Sequence, residues 1–272
     1  MLIIMQIPFV LYSLTIVIMC FILVMTPFRS SNDLARGILT RPQGFTFENF
    51  VGIWKAGLGN GVMNSFFLAS MTCLFSVVIG ALAGYAFTFF RFIGKTSLYL
   101  LIYSGIFIST MLIVLPLFLQ YRDLHLVNNL VGTLLIFIGI RMPFSVYLFK
   151  SFFKEFSIEL MDAAKMDGLT DLKILAWIIM PLSKGVIVTV LLFNFSAVWT
   201  DYLIGLLFLQ KESLMTVMPL IMSIFGAGPM TTRATPLGQG FAGLLVSTAP
   251  LLIIYFFTKK NYIEGLTLGS VK

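Results

Sequence analysis

The chain has 272 residues, of which 59% are hydrophobic and only 11% charged, with a formal net charge of +7. Soluble domains carry about 45–50% apolar and about 25% charged residues, so a water-soluble globular fold is excluded and an integral membrane protein is expected. In so apolar a chain the positive balance reads as membrane topology, and nucleic-acid binding is set aside.

A membrane span needs roughly 20 mostly apolar residues, and its backbone polar groups must bond internally, which favours helices. Six runs meet that demand, at about 2–28, 62–90, 97–119, 126–149, 185–209 and 238–258. They predict an all-α membrane protein whose 272 residues form one transmembrane domain. The first run has no Lys or Arg before Arg29, is too long for the apolar stretch of a signal peptide and lacks a small-x-small cleavage site, so it reads as a retained span.

The second run carries Asn64 and Ser65, and Cys73 lies within it as Cys20 lies in the first. Both cysteines read as free thiols in an apolar interior. Past its end, Gly94-Lys95-Thr96 mimics the close of a phosphate-binding loop, but Phe89 stands where that motif needs glycine, so no nucleotide site is expected. Between the third and fourth runs His125, the only histidine, sits beside Arg122 and Asp123. No metal cluster and no catalytic triad can be assembled around it.

Charge inside lipid is costly and tends to mark function. Arg141 lies in the fourth run beside Met142-Pro143, and Asp201 lies in the fifth between Thr200 and Tyr202. They either line a solute path or pack between helices, and the same two readings hold for Ser109, Thr110, Ser145, Asn194 and Ser196. Asn64, Asn194, Trp199, Asp201 and Tyr202 are the candidate substrate-path residues.

Residues 150–184 are polar by contrast, with five Lys balanced by Glu155, Glu159, Asp162, Asp167 and Asp171. Ser157 can cap a short helix, with Glu159 and Asp162 in its early turns where the helix dipole favours acids. That helix should end near Asp167, with Gly168 as a left-handed cap. Thr170-Asp171 can then start a second helix running toward Pro181, giving a helix-turn-helix elbow.

An even number of spans puts both termini on one side. The flanks that would share it hold Arg91, Lys95, Lys150, Lys154, Lys165, Lys173, Lys184, Lys259, Lys260 and Lys272, against Arg29, Arg36, Arg41, Lys55, Arg122, Lys211 and Arg233 opposite. The bias predicts cytoplasmic termini and a cytoplasmic elbow.

The elbow resembles the "EAA" loop of membrane subunits of binding-protein-dependent ABC importers. That pattern is Glu-Ala-Ala, three residues, Gly, nine residues, Ile, one residue, Leu-Pro. Here Asp162-Ala163-Ala164, Gly168, Ile178 and Met180-Pro181 keep every spacing, with Asp for Glu and Met for Leu. Phe45-Thr46-Phe47-Glu48-Asn49-Phe50, Asn64-Ser65, Ala83-Gly84-Tyr85-Ala86, Pro143-Phe144-Ser145, Trp199-Thr200-Asp201-Tyr202 and the tail from Gly265 to Lys272 are similar to landmarks of the maltose-type sugar permeases. Ser109 departs from that branch, which often has proline there.

The resemblance implies a permease subunit in a bacterial cytoplasmic membrane, surrounded by lipid and paired with a second, related permease. It implies two copies of a cytoplasmic ATPase that use ATP and Mg, with no cofactor bound by this chain, and an external solute-binding protein. It implies that Glu159, Asp162, Ala163, Ala164, Asp167 and Gly168 couple to the ATPase, and that Gly265, Gly269 and Lys272 of the tail touch it. The expected cargo is a carbohydrate, with a polyol or glycerol phosphate as the alternative. An ion-driven transporter would instead need intramembrane relay acids and inverted repeats, and only Asp201 fits.

Overall fold

The computed structural model describes residues 2–38, 44–226 and 237–268, with side chains described for 8–38, 44–226 and 237–256. Among the described residues there is no strand. Helix α1, Leu2–Met25, is apolar in sequence, and from Pro8 onward its side chains lie almost wholly uncovered by the rest of the chain. A helix of that kind must be covered by lipid or another subunit. Pro27 closes it in a 3-10 turn, Thr26–Phe28.

The chain then folds back. The buried Arg29 guanidinium donates to the carbonyls of Gly37 and Ile38 across the short helix α2, Ser31–Ala35. Helix α3, Glu48–Ile53, is held against the end of α1 by buried Asn49, whose amide donates to the carbonyls of Pro27 at 2.9 Å and Arg29 at 2.7 Å. A π-turn over Trp54–Leu58, bent at Gly57, leads into α4, Gly59–Phe89. At a rise of 1.5 Å per residue, α4 is about 46 Å long, longer than the roughly 30 Å of hydrocarbon it has to cross.

The expected third span is broken. Helix α5, Lys95–Ser104, and a 3-10 turn, Gly105–Phe107, meet α6, Thr110–Asp123, at 101° across the extended residues Ile108 and Ser109. The fourth, α7, Leu130–Phe153, starts four residues later than expected because Asn129 caps it, its carbonyl oxygen accepting the N–H of Val131 at 2.8 Å and of Gly132 at 3.2 Å.

Helices α4 and α7 form the centre of the bundle, with α11, Lys184–Trp199, packed on α4. Helices α4 and α7 approach closely at Gly84, where a Cβ would stand 2.7 Å from that of Phe149 and 3.0 Å from the Lys150 backbone nitrogen. Small residues at such contacts let backbones approach where lipid gives no hydrophobic drive for association. Beyond α7 come α8, Ile158–Met166, α9, Asp171–Ile174, a π-turn Leu175–Ile179 and α10, Met180–Leu182.

The expected fifth span, 185–209, is helical without a break only to Trp199. The segment Asp171–Leu182 joins Lys184–Trp199 at a bend of 82°. Helix α12, Leu203–Phe208, and α13, Val217–Ile224, fold back onto the bundle before α14, Leu237–Leu268. Among the described residues four helices are long and apolar enough to cross a membrane, or up to six segments if each bent pair is one span.

Candidate functional site

The elbow takes the form its sequence calls for. Ser157 Oγ accepts the Leu160 N–H at 3.4 Å, fixing the start of α8. Glu159, exposed in the first turn, has its carboxyl held below the usual range by its own backbone N–H and then by the Ser157 hydroxyl. The helix ends at Asp167, whose N–H reaches the Ala163 carbonyl at 3.1 Å. Gly168 follows at φ 81°, donating to the Lys165 carbonyl at 3.0 Å. A Cβ there would touch nothing, so the left-handed backbone, not crowding, is what asks for glycine.

Helical spacing then sorts the side chains. Met161 and Ala164, three apart, turn inward onto Tyr85, Phe149, Phe153, Ile174 and Ile179. Glu159, Asp162, Ala163, Lys165, Met166 and Asp167 face outward, with Met166 89% exposed. Of the expected coupling residues, five therefore lie on the exposed side and Ala164 packs inside. The carboxylates of Asp162 and Asp167 make no hydrogen bond or ion pair among the described residues.

Sequence reasoning missed what ties the elbow down. Asp171, read only as the start of a helix, accepts on one oxygen both the Tyr85 hydroxyl of α4 at 3.1 Å and the Lys165 ammonium of α8 at 3.1 Å. Tyr85 and Asp171 are 86 positions apart, and no local pattern marks so distant a pair. Asn128 was missed as well. Its backbone is left-handed, its N–H donates to the Phe208 carbonyl, and its side-chain oxygen accepts the N–H groups of Gln210 and Lys211 at 2.7 and 2.9 Å.

Four of the five candidate substrate-path residues make side-chain hydrogen bonds within the chain. Asn64 donates to the carbonyls of Ser213 at 3.0 Å and Met215 at 3.1 Å. Asn194 is 1% exposed and donates to Ser145 Oγ at 3.0 Å. Trp199 is equally buried, stacked on Phe195, and its indole donates to the Ser247 carbonyl at 2.9 Å. Asp201 lies in the break after α11 and caps α12, accepting from Ile204 at 2.8 Å and Gly205 at 3.3 Å. Tyr202, half-buried, adjoins it. Among the described residues no ion pair joins Arg141 and Asp201.

A crevice of about 400 Å³ between α4, α11 and α14, lined by Ser70, Cys73, Leu191, Phe195 and Ile254, is almost wholly apolar. It offers few partners for sugar hydroxyls. Exposed His125 stands in a left-handed turn, and among the described residues no cluster could hold a metal. Of the tail, Gly265 falls within α14, while Gly269 and Lys272 lie outside the described residues, as do Arg41 and Arg233.

Comparison with known proteins adds a second line of evidence. The family described as "Binding-protein-dependent transport system inner membrane component" matches residues 76–261, a stretch that includes the elbow. The chain is 30% identical over 265 residues to the probable ABC transporter permease protein YurM of Bacillus subtilis, covering 96% of this chain and 86% of that one. It is 31% identical over 235 residues to the trehalose transport system permease protein SugB of Mycobacterium tuberculosis, covering 85% and 84%. A chain in the crystal structure of a bacterial ABC transporter involved in the import of the acidic polysaccharide alginate shares the fold, with TM-score 0.78, 23% identity and 95% of each chain covered.

Proposed function

Because the chain belongs to the family of binding-protein-dependent transport system inner membrane components, we propose that it is the permease subunit of an ATP-driven importer that carries an oligosaccharide inward across the bacterial cytoplasmic membrane. A second, related permease completes the path. Two copies of a separate ATPase supply the energy, using ATP and Mg, and an external solute-binding protein delivers the cargo. The termini and the elbow lie in the cytoplasm. Closure of the ATPase pair on ATP moves the elbow as a lever and turns the path outward, and hydrolysis resets it.

The observation that carries this reading is the exposed face of α8. Two carboxylates without a partner among the described residues, Asp162 and Asp167, flank the small Ala163 and the uncovered Met166, and the face ends at the left-handed Gly168. Acids of this kind pair with Arg or Lys of a partner's groove, small residues permit close approach, and an exposed Met adapts to an irregular apolar pocket. The choice of a sugar is supported by the likeness to a permease named for trehalose transport.

The test is Gly168→Pro, or deletion of residues 162–168, in the assembled complex. Both variants should still insert in the membrane, yet lose copurification with the ATPase and lose uptake. Uptake at the normal rate would overturn the coupling role of the elbow.

A further inference from the structure

Resting on the coupling reading above, we propose that Asp171 is a positioning residue for coupling, clamping both arms of the elbow to α4 so that displacement of the elbow reaches the bundle. The clamp meets at a single atom, Asp171 Oδ1, which takes the Tyr85 hydroxyl and the Lys165 ammonium, each at 3.1 Å. Lys165 belongs to α8 and Asp171 to α9, so the ion pair bridges the turn at Gly168, which has no side chain to stiffen it.

Tyr85 is the fixed end. It is 4% exposed and set between the rings of Phe89 at 4.9 Å and Phe90 at 5.7 Å. It adjoins Gly84, a close contact of α4 with α7, so force arriving at its hydroxyl enters the centre of the bundle. The apolar contacts of Met161 and Ala164 beside it are non-directional and tolerate sliding. A hydrogen bond to a carboxylate is directional and stronger than a neutral one, and it sets the register. The Lys165–Asp171 pair is half exposed, and such pairs add little to stability. The clamp therefore governs where the elbow sits rather than whether the chain folds.

The test uses the full complex in lipid vesicles and needs no knowledge of the sugar. Cys20→Ser removes the exposed native thiol, and nitroxides are placed at Ile158→Cys on α8 and Arg91→Cys just past α4, both exposed positions. Pulsed dipolar spectroscopy is run without nucleotide and with ATP and vanadate. With Asp171 and Tyr85 intact, the distance distribution should stay narrow and unmoved between the two states. Tyr85→Phe and Asp171→Asn should each broaden it about twofold with ATP, and the double variant should broaden it no further, since all three break one link. Lys165→Arg should keep it narrow.

Two results would overturn the clamp: an unchanged distribution in Tyr85→Phe/Asp171→Asn, or additive broadening in the double variant. Copurification of the ATPase with Gly168→Pro, measured in parallel, separates the two ideas. If that variant loses the ATPase while the clamp variants keep a narrow distribution, only the clamp fails. If it keeps the ATPase and normal uptake, the coupling reading itself fails.

Discussion

The elbow and the interior of the bundle treat polar side chains in opposite ways. On α8, Asp162 and Asp167 point outward with no partner among the described residues, while between the spans Asn64, Asn194, Trp199 and Asp201 each bond a group of their own chain. A polar group buried without a partner is penalised heavily, so polarity inside the bundle goes first to holding helices together. Exposed acids carry no such penalty and remain available to another molecule. The difference teaches that polarity inside a span is a weaker sign of a substrate path than polarity presented on a rigid, exposed helix is of a docking surface.

Four substitutions bear on that comparison. The largest effect is expected at Gly84→Val, which drives a side chain into Phe149 and the Lys150 backbone. Overpacking of this kind costs about 1–3 kcal/mol. Thermal unfolding in detergent should show the loss, with the elbow surface itself untouched. Asp162→Lys should do the reverse, leaving thermal unfolding in place while weakening ATPase binding about tenfold, or about 1.4 kcal/mol, as read by titrating the complex with purified ATPase.

Asn194→Leu is the attempt to break the comparison. Among the described residues the Asn194 side-chain oxygen has no partner and its amide bonds only Ser145, so an apolar replacement of similar size should change stability by less than about 1 kcal/mol and leave uptake intact. Lost uptake with an intact fold would return Asn194 to the substrate path. The smallest effect is expected at Glu159→Gln. The Glu159 carboxyl lies below its ordinary range in the folded chain, so the stability it adds is present above the unfolded value of about 4.3 and is lost as pH falls through the folded one. Unfolding temperatures of wild type and variant should differ slightly near neutral pH and converge in acid.

Local chemistry was legible in the sequence and distant pairing was not. Ser157 and Gly168 bracket α8 because capping is decided within a few residues, and the elbow could be drawn from them. The long runs of α1 and α4 were equally plain. The break at Ile108–Ser109 was not, since neither residue is proline or glycine and apolar residues continue through Met111 and Leu112. The stop at Trp199 was hidden because Leu203–Leu209 is as apolar as a span, and only the structure shows Asp201 starting a new helix there. Ala164 reads in sequence like its neighbour Ala163, yet one position along a helix, about 100° of rotation, puts it in the core.

Docking of an ATPase on the outer face of α8 can be tested directly by a photoreactive benzoylphenylalanine at Ala163, exposed and small, irradiated in native membranes containing the whole transporter. A covalent adduct with the ATPase subunit, lost in Gly168→Pro, is the result expected. Adducts with lipid alone, from membranes in which the ATPase copurifies with the chain, would contradict it.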